Sequence, residues 1–329
     1  MLPMRYLIHD QALAEAALQS WNHDDRQRGF GEGFRISANA VYPYFHSSTR
    51  HFLRISPLSE KAPELVAAEL DFVSCMVRRG FPALQPDVTR EGHSLILLEH
   101  HGEQYNVTSF AAVPGLALSD LELTPQLLKG YGRALAELHG HSAAYVTPDT
   151  RRPSYEDIID WIESSLRRLE DEGRALSEAD LLRDAFARLP KDGASFGMIH
   201  YDFEPDNVFY DPDTVSFHVI DFDDCHYHWY AMDVIVVMAE LSQTGDRALD
   251  EERVDLFLHG YRTTRALSEE LLAAAEPFRR YRDLYGYTRI ARCLNDSLPA
   301  PQPEWAVKLR RRLHDLKAKR GARFGQPIL

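Results

Sequence analysis

Cysteine is scarce in this sequence: Cys75, Cys225 and Cys293 are the only three in 329 residues. An odd number at wide spacing fits neither a disulfide framework nor a zinc site, so a reducing, cytoplasmic location is expected. Long apolar runs are missing as well. The most apolar stretch, 229–241, is too short to span a bilayer and carries Asp233 and Glu240. The opening MLPMRYLIHD has an early acid and no apolar core, unlike a secretory leader. Positive charge is in deficit, with 37 Lys and Arg against 50 Asp and Glu and a net charge of −13. A duplex-binding protein needs a basic footprint to neutralise phosphates. The basic clusters at 308–312 and 317–323 read instead as the solvated face of a C-terminal helix. No nucleic acid and no membrane is expected as a partner.

The remaining composition is that of a globular chain, 44% hydrophobic and 26% charged, long enough for two lobes. Apolar spacing predicts a helix over 11–21. Short β-branched and aromatic runs predict strands at 34–37, 40–45 and 50–55. A helix over 63–79 follows, with a stripe of Ala67, Leu70, Val73, Met76 and Val77 and Gly80 behind it. Strands are expected at 87–90, 94–99 and 105–111. From Pro114-Gly115 onward the pattern turns helical. Thr124-Pro125 opens one helix, Ser154 with Glu156 and Asp157 a second, and Ser177 a third. Two short strands, 208–210 and 216–220, interrupt the helices, with Asp211-Pro212-Asp213 as the turn between them. A strand-dominated first third before a helix-dominated remainder reads as α+β with a boundary near 111–116.

The informative segment is 200–224, HYDFEPDNVFYDPDTVSFHVIDFDD. It holds H-x-D-x-x-x-x-N as His200, Asp202 and Asn207, then an apolar strand ending at Asp221. Phosphoryl transfer spreads negative charge over the moving group, so positioning and electrostatics dominate catalysis. One carboxylate must orient the attacking hydroxyl, and hard oxygen donors must hold magnesium against the phosphates. Asp202, Asn207 and Asp221 supply that set.

These two spaced motifs resemble the signature of the aminoglycoside phosphotransferase and choline kinase-like family, relatives of the protein kinases. The resemblance implies a two-lobed protein-kinase-like fold. Residues 1–111 would form an N-terminal nucleotide-binding lobe of antiparallel sheet and one helix. Residues 112–329 would form a mostly helical catalytic and acceptor-binding lobe. It implies an ATP-dependent kinase using Mg2+, with Asp202 as base, Asn207 and Asp221 as metal ligands, and His200 bracing the loop. Asp223 is open between a second metal ligand and a loop acid. Asp233 would brace the catalytic loop, and 132–139 (GRALAELH) resembles the family's helix ending in Leu-His.

The first lobe departs from the pattern. Arg54 stands where protein kinases place lysine, with Glu69 as its helix partner and Glu64 as second choice. The glycines at 29–33 precede the first strand, so the turn holding Ser37 and Asn39 is expected to touch phosphate. By family order, the backbone of Ala111 and Val113 would bind adenine, with Phe110 and Ile220 as apolar walls. The acceptor would be a small hydroxyl compound such as an antibiotic, an amino alcohol, homoserine or a sugar. Glu204, Asp206, Asp223 and Asp224 hint that it is cationic.

Other features are open at this stage. His226 and His228 line the acceptor pocket or simply pack. The Arg/Tyr-rich stretch 278–292 packs on the second lobe, binds single-stranded nucleic acid, or lends an Arg to an anionic acceptor. Ser195 and Ser216 lack a G-x-S-x-G elbow, which excludes a serine hydrolase of that type. Two other readings compete with a kinase. One is a non-catalytic nucleotide-binding regulator, motivated by Arg54 and the missing glycine loop. The other is a metal-dependent phosphoesterase, which needs more His ligands than this spacing supplies.

Overall fold

The computed structural model describes residues 2–24, 33–146, 151–296 and 302–328. The expected glycines at 29–32 lie outside that set. Five strands, β1 (Arg35–Ile36), β2 (Ala40–His46), β3 (Thr49–Pro57), β4 (Ile96–His100) and β5 (Glu103–Ala111), form one antiparallel sheet in the order β1-β2-β3-β5-β4. The two-residue alternation of β3 sends Leu53 and Ile55 to one face. There they pack with Leu13, Ala17 and Trp21 on and just after α1 (Gln11–Leu18), which Asp10 caps by accepting from the Leu13 N–H. Arg54 is left on the other face with Phe110 of β5. Helix α2 (Pro63–Arg78) buries Val66, Leu70, Phe72, Val73 and Met76, so Val66 replaces the expected Ala67, which is exposed.

Residues 87–90 do not form the expected strand. Asp87 spends its carboxylate on His51 (2.7 Å) and on the Ser109 hydroxyl (2.9 Å), and the Thr89 hydroxyl accepts from the His93 N–H at 3.1 Å. Such side-chain bonds satisfy the segment locally and displace a ladder.

The helical part begins after β6 (Leu116–Ala117), which pairs with the hairpin β8 (Val208–Asp211)–β9 (Ser216–Val219). The hairpin turns on Asp211, which accepts from the Asp213 N–H at 3.0 Å and from the Thr214 hydroxyl at 2.7 Å. A second ribbon, β7 (Phe196–Ile199) with β10 (His226–Trp229), has no counterpart in the sequence expectation. Helices α3 (Pro125–Ala143), α4 (Tyr155–Leu166), α5 (Gly173–Phe186), α6 (Ala231–Leu241), α7 (Arg247–Arg262), α8 (Glu269–Ala273), α9 (Ala275–Asn295) and α10 (Glu304–Gly321) complete the fold. Thr124 caps α3 as expected, and Ser154 with Asp157 makes a reciprocal capping box on α4. Ser177 does not open a helix. It lies inside α5, where its hydroxyl bonds back to the Gly173 carbonyl at 3.1 Å.

Helices α3 and α7 pack backbone to backbone through two glycines. A Cβ on Gly132 would overlap the Phe257 carbonyl, and one on Gly260 would overlap the Lys129 carbonyl. Gly132→Ala gains about 1 kcal/mol of helix propensity. Forcing the backbones apart costs more, and a net loss of about 1–3 kcal/mol is expected. Thermal unfolding checks this; a melting temperature at or above the parent's would contradict the close packing.

Candidate active site

The segment 200–207 links β7 to β8 and is held from below. Asp233, in the first turn of α6, accepts the His200 N–H at 2.8 Å and the Tyr201 N–H at 2.7 Å. Its Oδ2 also takes His139 Nε2 at 3.1 Å, while His139 Nδ1 meets the Tyr261 hydroxyl at 2.8 Å. Burial pushes the Asp233 carboxyl up, but His139 and the amides outweigh it and keep it below its ordinary range. The acid expected to brace this loop therefore does so. His200 Nε2 donates to the Ile220 carbonyl at 2.9 Å, and its ring sits edge-on to Phe222. His200 thereby ties the loop to the strand before Asp221.

Asn207 gathers the remaining parts. Its Nδ2 donates to the Asp202 carbonyl at 2.9 Å and to Asp202 Oδ2 at 3.2 Å. Its own carbonyl accepts the Ile220 N–H at 3.0 Å. Asp202, Asn207 and the residue preceding Asp221 are thus joined by consecutive hydrogen bonds. Asp221 takes a left-handed backbone conformation, φ 63°, as does Tyr201 at φ 71°. Non-glycine residues rarely adopt it, and it costs on the order of 1 kcal/mol or more.

The field of the site is acidic at the base and neutralised around it. Burial, with Glu204, Asp224 and Asp221 adding, pushes the Asp202 carboxyl up to about 8; Arg282 opposes the shift. Asp221 is exposed, yet the protein around it and the charge of Asp223 push its carboxyl up. Burial also acts to raise Asp223, but Lys61 and Arg54 reverse this and hold it well below the carboxylate range.

On the sheet side, Arg54 grips Glu69 through two bonds, Nη1 to Oε1 at 2.7 Å and Nη2 to Oε2 at 3.0 Å. Glu69 is buried and Glu64 is exposed, which settles the partner. Arg54 Nη1 also lies 3.6 Å from Asp223 Oδ1, and its guanidinium stacks 4.9 Å above Phe110. Two basic residues that no motif indicated complete the frame. Lys61, after β3, pairs with Asp223. Arg152, before α4, is buried and donates to the carbonyls of Asp223 (2.5 Å), Cys225 (2.8 Å) and Leu65 (2.9 Å).

The other residues named from sequence are placed as follows. Ser37 and Asn39 form the β1–β2 turn, with the Ser37 N–H on the Asn39 carbonyl at 3.0 Å. Among the described residues no hydrogen bond joins this turn to Asp202, Asn207 or Asp221. Phe110 is buried in the largest apolar cluster, and Val113 and Ile220 pack partly buried against it. Ala111 ends β5, and the Ala112 N–H is taken by the Arg50 carbonyl at 2.9 Å. His226 and His228 are core residues, packed on each other and on Tyr281. Of the four acids that hinted at a cationic acceptor, three are already paired: Glu204 with Arg282, Asp223 with Lys61, and Asp224 with Arg289.

An antiparallel sheet presenting a cation–carboxylate pair, set on a helical part presenting an Asp–Asn loop and a strand-end Asp, is a two-lobed protein-kinase-like fold. Residues 39–271 match the model of the phosphotransferase enzyme family, and the chain belongs to it. It is an enzyme of the small-molecule kinase class. The chain is 21% identical over 296 residues to the amicoumacin kinase of Bacillus subtilis (strain 168), covering 86% of this chain and 85% of that one. It is 28% identical over 278 residues to the homoserine kinase of Beijerinckia indica, covering 82% and 81%. Among solved structures, an amicoumacin kinase in complex with AMP-PNP, Ca2+ and Ami superposes with a TM-score of 0.76 at 19% identity, covering 98% of this chain and 96% of that one. A microcompartment-associated aminopropanol kinase superposes with a TM-score of 0.70 at 20% identity, covering 95% and 97%. Among the described residues no helix is long and apolar enough to cross a membrane.

Proposed function

We propose that this enzyme transfers the γ-phosphoryl group of ATP to a hydroxyl of a small molecule, with Asp202 as the base and Asn207 and Asp221 as Mg2+ ligands. The observation that carries the reading is the chain of bonds from Asp202 through Asn207 to Ile220 beside Asp221. Asn207 spends its Nδ2 on Asp202, which leaves Oδ1, a hard oxygen donor, for a metal. Asp221 is an exposed carboxylate. Among the described residues no group of three His, Cys, Asp or Glu stands together as a metal cage. That suits an ion that keeps waters and phosphate oxygens as most of its ligands. Bound there, Mg2+ would neutralise phosphate charge.

The chain's own residues do the rest. Asp202, in its ionised form, orients the acceptor hydroxyl and takes its proton. Arg54, fixed by Glu69, presents a guanidinium toward the phosphates, and Ser37 and Asn39 cover them from the β1–β2 turn. Adenine lies at the lobe junction against Phe110 and Ile220, with the backbone of Ala111 and Val113 reading its edge. The boundary between the lobes falls after Ala111. Kinases of amicoumacin, aminopropanol and homoserine among the relatives support a small alcohol as acceptor.

ADP release over a panel of hydroxylated metabolites and antibiotics tests this. Transfer to at least one acceptor is expected. Asp221→Ala should weaken Mg2+-dependent ATP binding about tenfold or more. Nucleotide binding with no transfer to any acceptor would favour a non-catalytic regulator instead.

A further inference from the structure

Helix α9 carries the Arg/Tyr-rich stretch, and beside the exposed Arg279 its arginines divide into two kinds. Arg280 is buried, 3% exposed, and locked on the fully buried Glu178. Arg282, Arg289 and Arg292 are 24%, 21% and 27% exposed at the side chain. With Tyr285 they recur at helical spacing, so they share one face. That face meets the catalytic loop. Arg282 pairs with Glu204 and, at 3.2 Å, with Glu240. Arg289 donates to Asp224 at 2.5 Å, and its guanidinium stacks 5.3 Å above Tyr285, whose ring is edge-on to Tyr201. Arg292 pairs with Glu60 at 2.9 Å above Trp161.

A polycation approaching Asp202 meets carboxylates that already hold arginines. An anion meets guanidiniums with donors to spare. Among the described residues Arg289 makes one hydrogen bond, through Nη1, so its Nε–Nη2 edge is uncommitted. That edge is the fork that matches a carboxylate through two parallel bonds. Tyr285 fixes the plane of the fork, so little entropy remains to be lost on binding.

We infer that Arg289 is a specificity-determining residue that binds a carboxylate on the acceptor, so that the substrate class is a compact hydroxy acid or hydroxy amino acid rather than a polyamine. This rests on the phosphotransfer reading above. The ligand's carboxylate takes the open edge of Arg289 and its hydroxyl reaches Asp202.

Matched acceptors differing only in the carboxylate test it: L-homoserine against 3-amino-1-propanol, and L-threonine against 1-amino-2-propanol, with kanamycin as the polycation. The carboxylate member of at least one pair should have the higher kcat/KM by about 30-fold or more, the scale of a lost charge-assisted contact. Arg289→Gln should bring that ratio below about fivefold, by raising KM for the carboxylate member. Preference for the amine or for kanamycin overturns the inference, as does a ratio that survives Arg289→Gln. Calorimetry of the same compounds with ADP bound runs in parallel and needs no turnover. No carboxylate binding, or binding untouched by Arg289→Gln, also overturns the inference. Carboxylate binding lost in Arg289→Gln without phosphate transfer to any acceptor would uphold Arg289 and overturn the phosphotransfer reading instead.

Discussion

Asp202→Asn should lower the rate of phosphate transfer about a thousandfold, and yet make the nucleotide-free protein harder to unfold at alkaline pH. The first effect is the one expected if Asp202 is the proposed general base, typically 10²–10⁴-fold. The second follows from the carboxyl being shifted from an ordinary 3.8 to about 8 in the fold. Below about pH 4 the group is protonated in both folded and unfolded chains, and it adds nothing. Between pH 4 and 8 the unfolded chain gives up a proton that the folded chain keeps. The parent therefore loses stability as pH rises, and above about pH 8 the penalty is complete. Asparagine has no such proton and still accepts the Asn207 Nδ2 bond. Its melting temperature should equal the parent's near pH 4 and exceed it by a few degrees at pH 9, in chelator and without nucleotide. A difference that does not grow with pH would show that the carboxylate is not disfavoured where it stands. Retained turnover would remove Asp202 from the chemistry.

Asp233→Asn should instead collapse stability and activity together. The carboxylate serves two backbone amides and one imidazole, all of them buried. An asparagine offers one oxygen, and its NH2 group would confront one of the amides with a second donor. Leaving such groups unmatched costs on the order of 3–5 kcal/mol for a buried network. Urea unfolding should register that loss, and transfer should fall because Asp202 lies two residues from the His200 amide. A variant within about 1 kcal/mol of the parent, with normal turnover, would mean that the loop does not depend on this acid.

The residues that were legible from sequence are those whose role fixes both type and spacing. Asp202 and Asn207 sit five apart, a spacing that lets the side-chain amide fold back onto the carboxylate. His200 and Asp233 anchor the same loop, and most strands of the sheet were legible as β-branched and aromatic runs, whereas their order was not. Arg54 and Glu69 were legible because a strand cation needs a helix carboxylate, although the strand residue is not the usual one. Lys61 and Arg152 were not legible. Lys61 lies in a connecting loop and Arg152 just before a helix cap, where no periodicity constrains identity, and only the tertiary fold brings both to Asp223. The β7–β10 ribbon escaped because His226–Trp229 lacks apolar alternation: the histidines become core only by packing on Tyr281 and Phe278. Glu204 and Asp224 near Asp202 read as free charge because their arginine partners arrive from a helix more than 60 residues downstream.

Arg152 has a consequence for how the helix bearing Glu69 is held. Its guanidinium stitches the Leu65 carbonyl, in the first turn of the helix bearing Glu69, to the turn that follows Asp221. That helix cannot swing outward and break the Arg54–Glu69 grip without stripping a buried cation of its acceptors. The Arg54–Glu69 grip is therefore held by contacts within the protein itself, without a bound nucleotide. Amide exchange along α2 should accordingly change little when nucleotide is added; marked new protection there would reveal a switch after all.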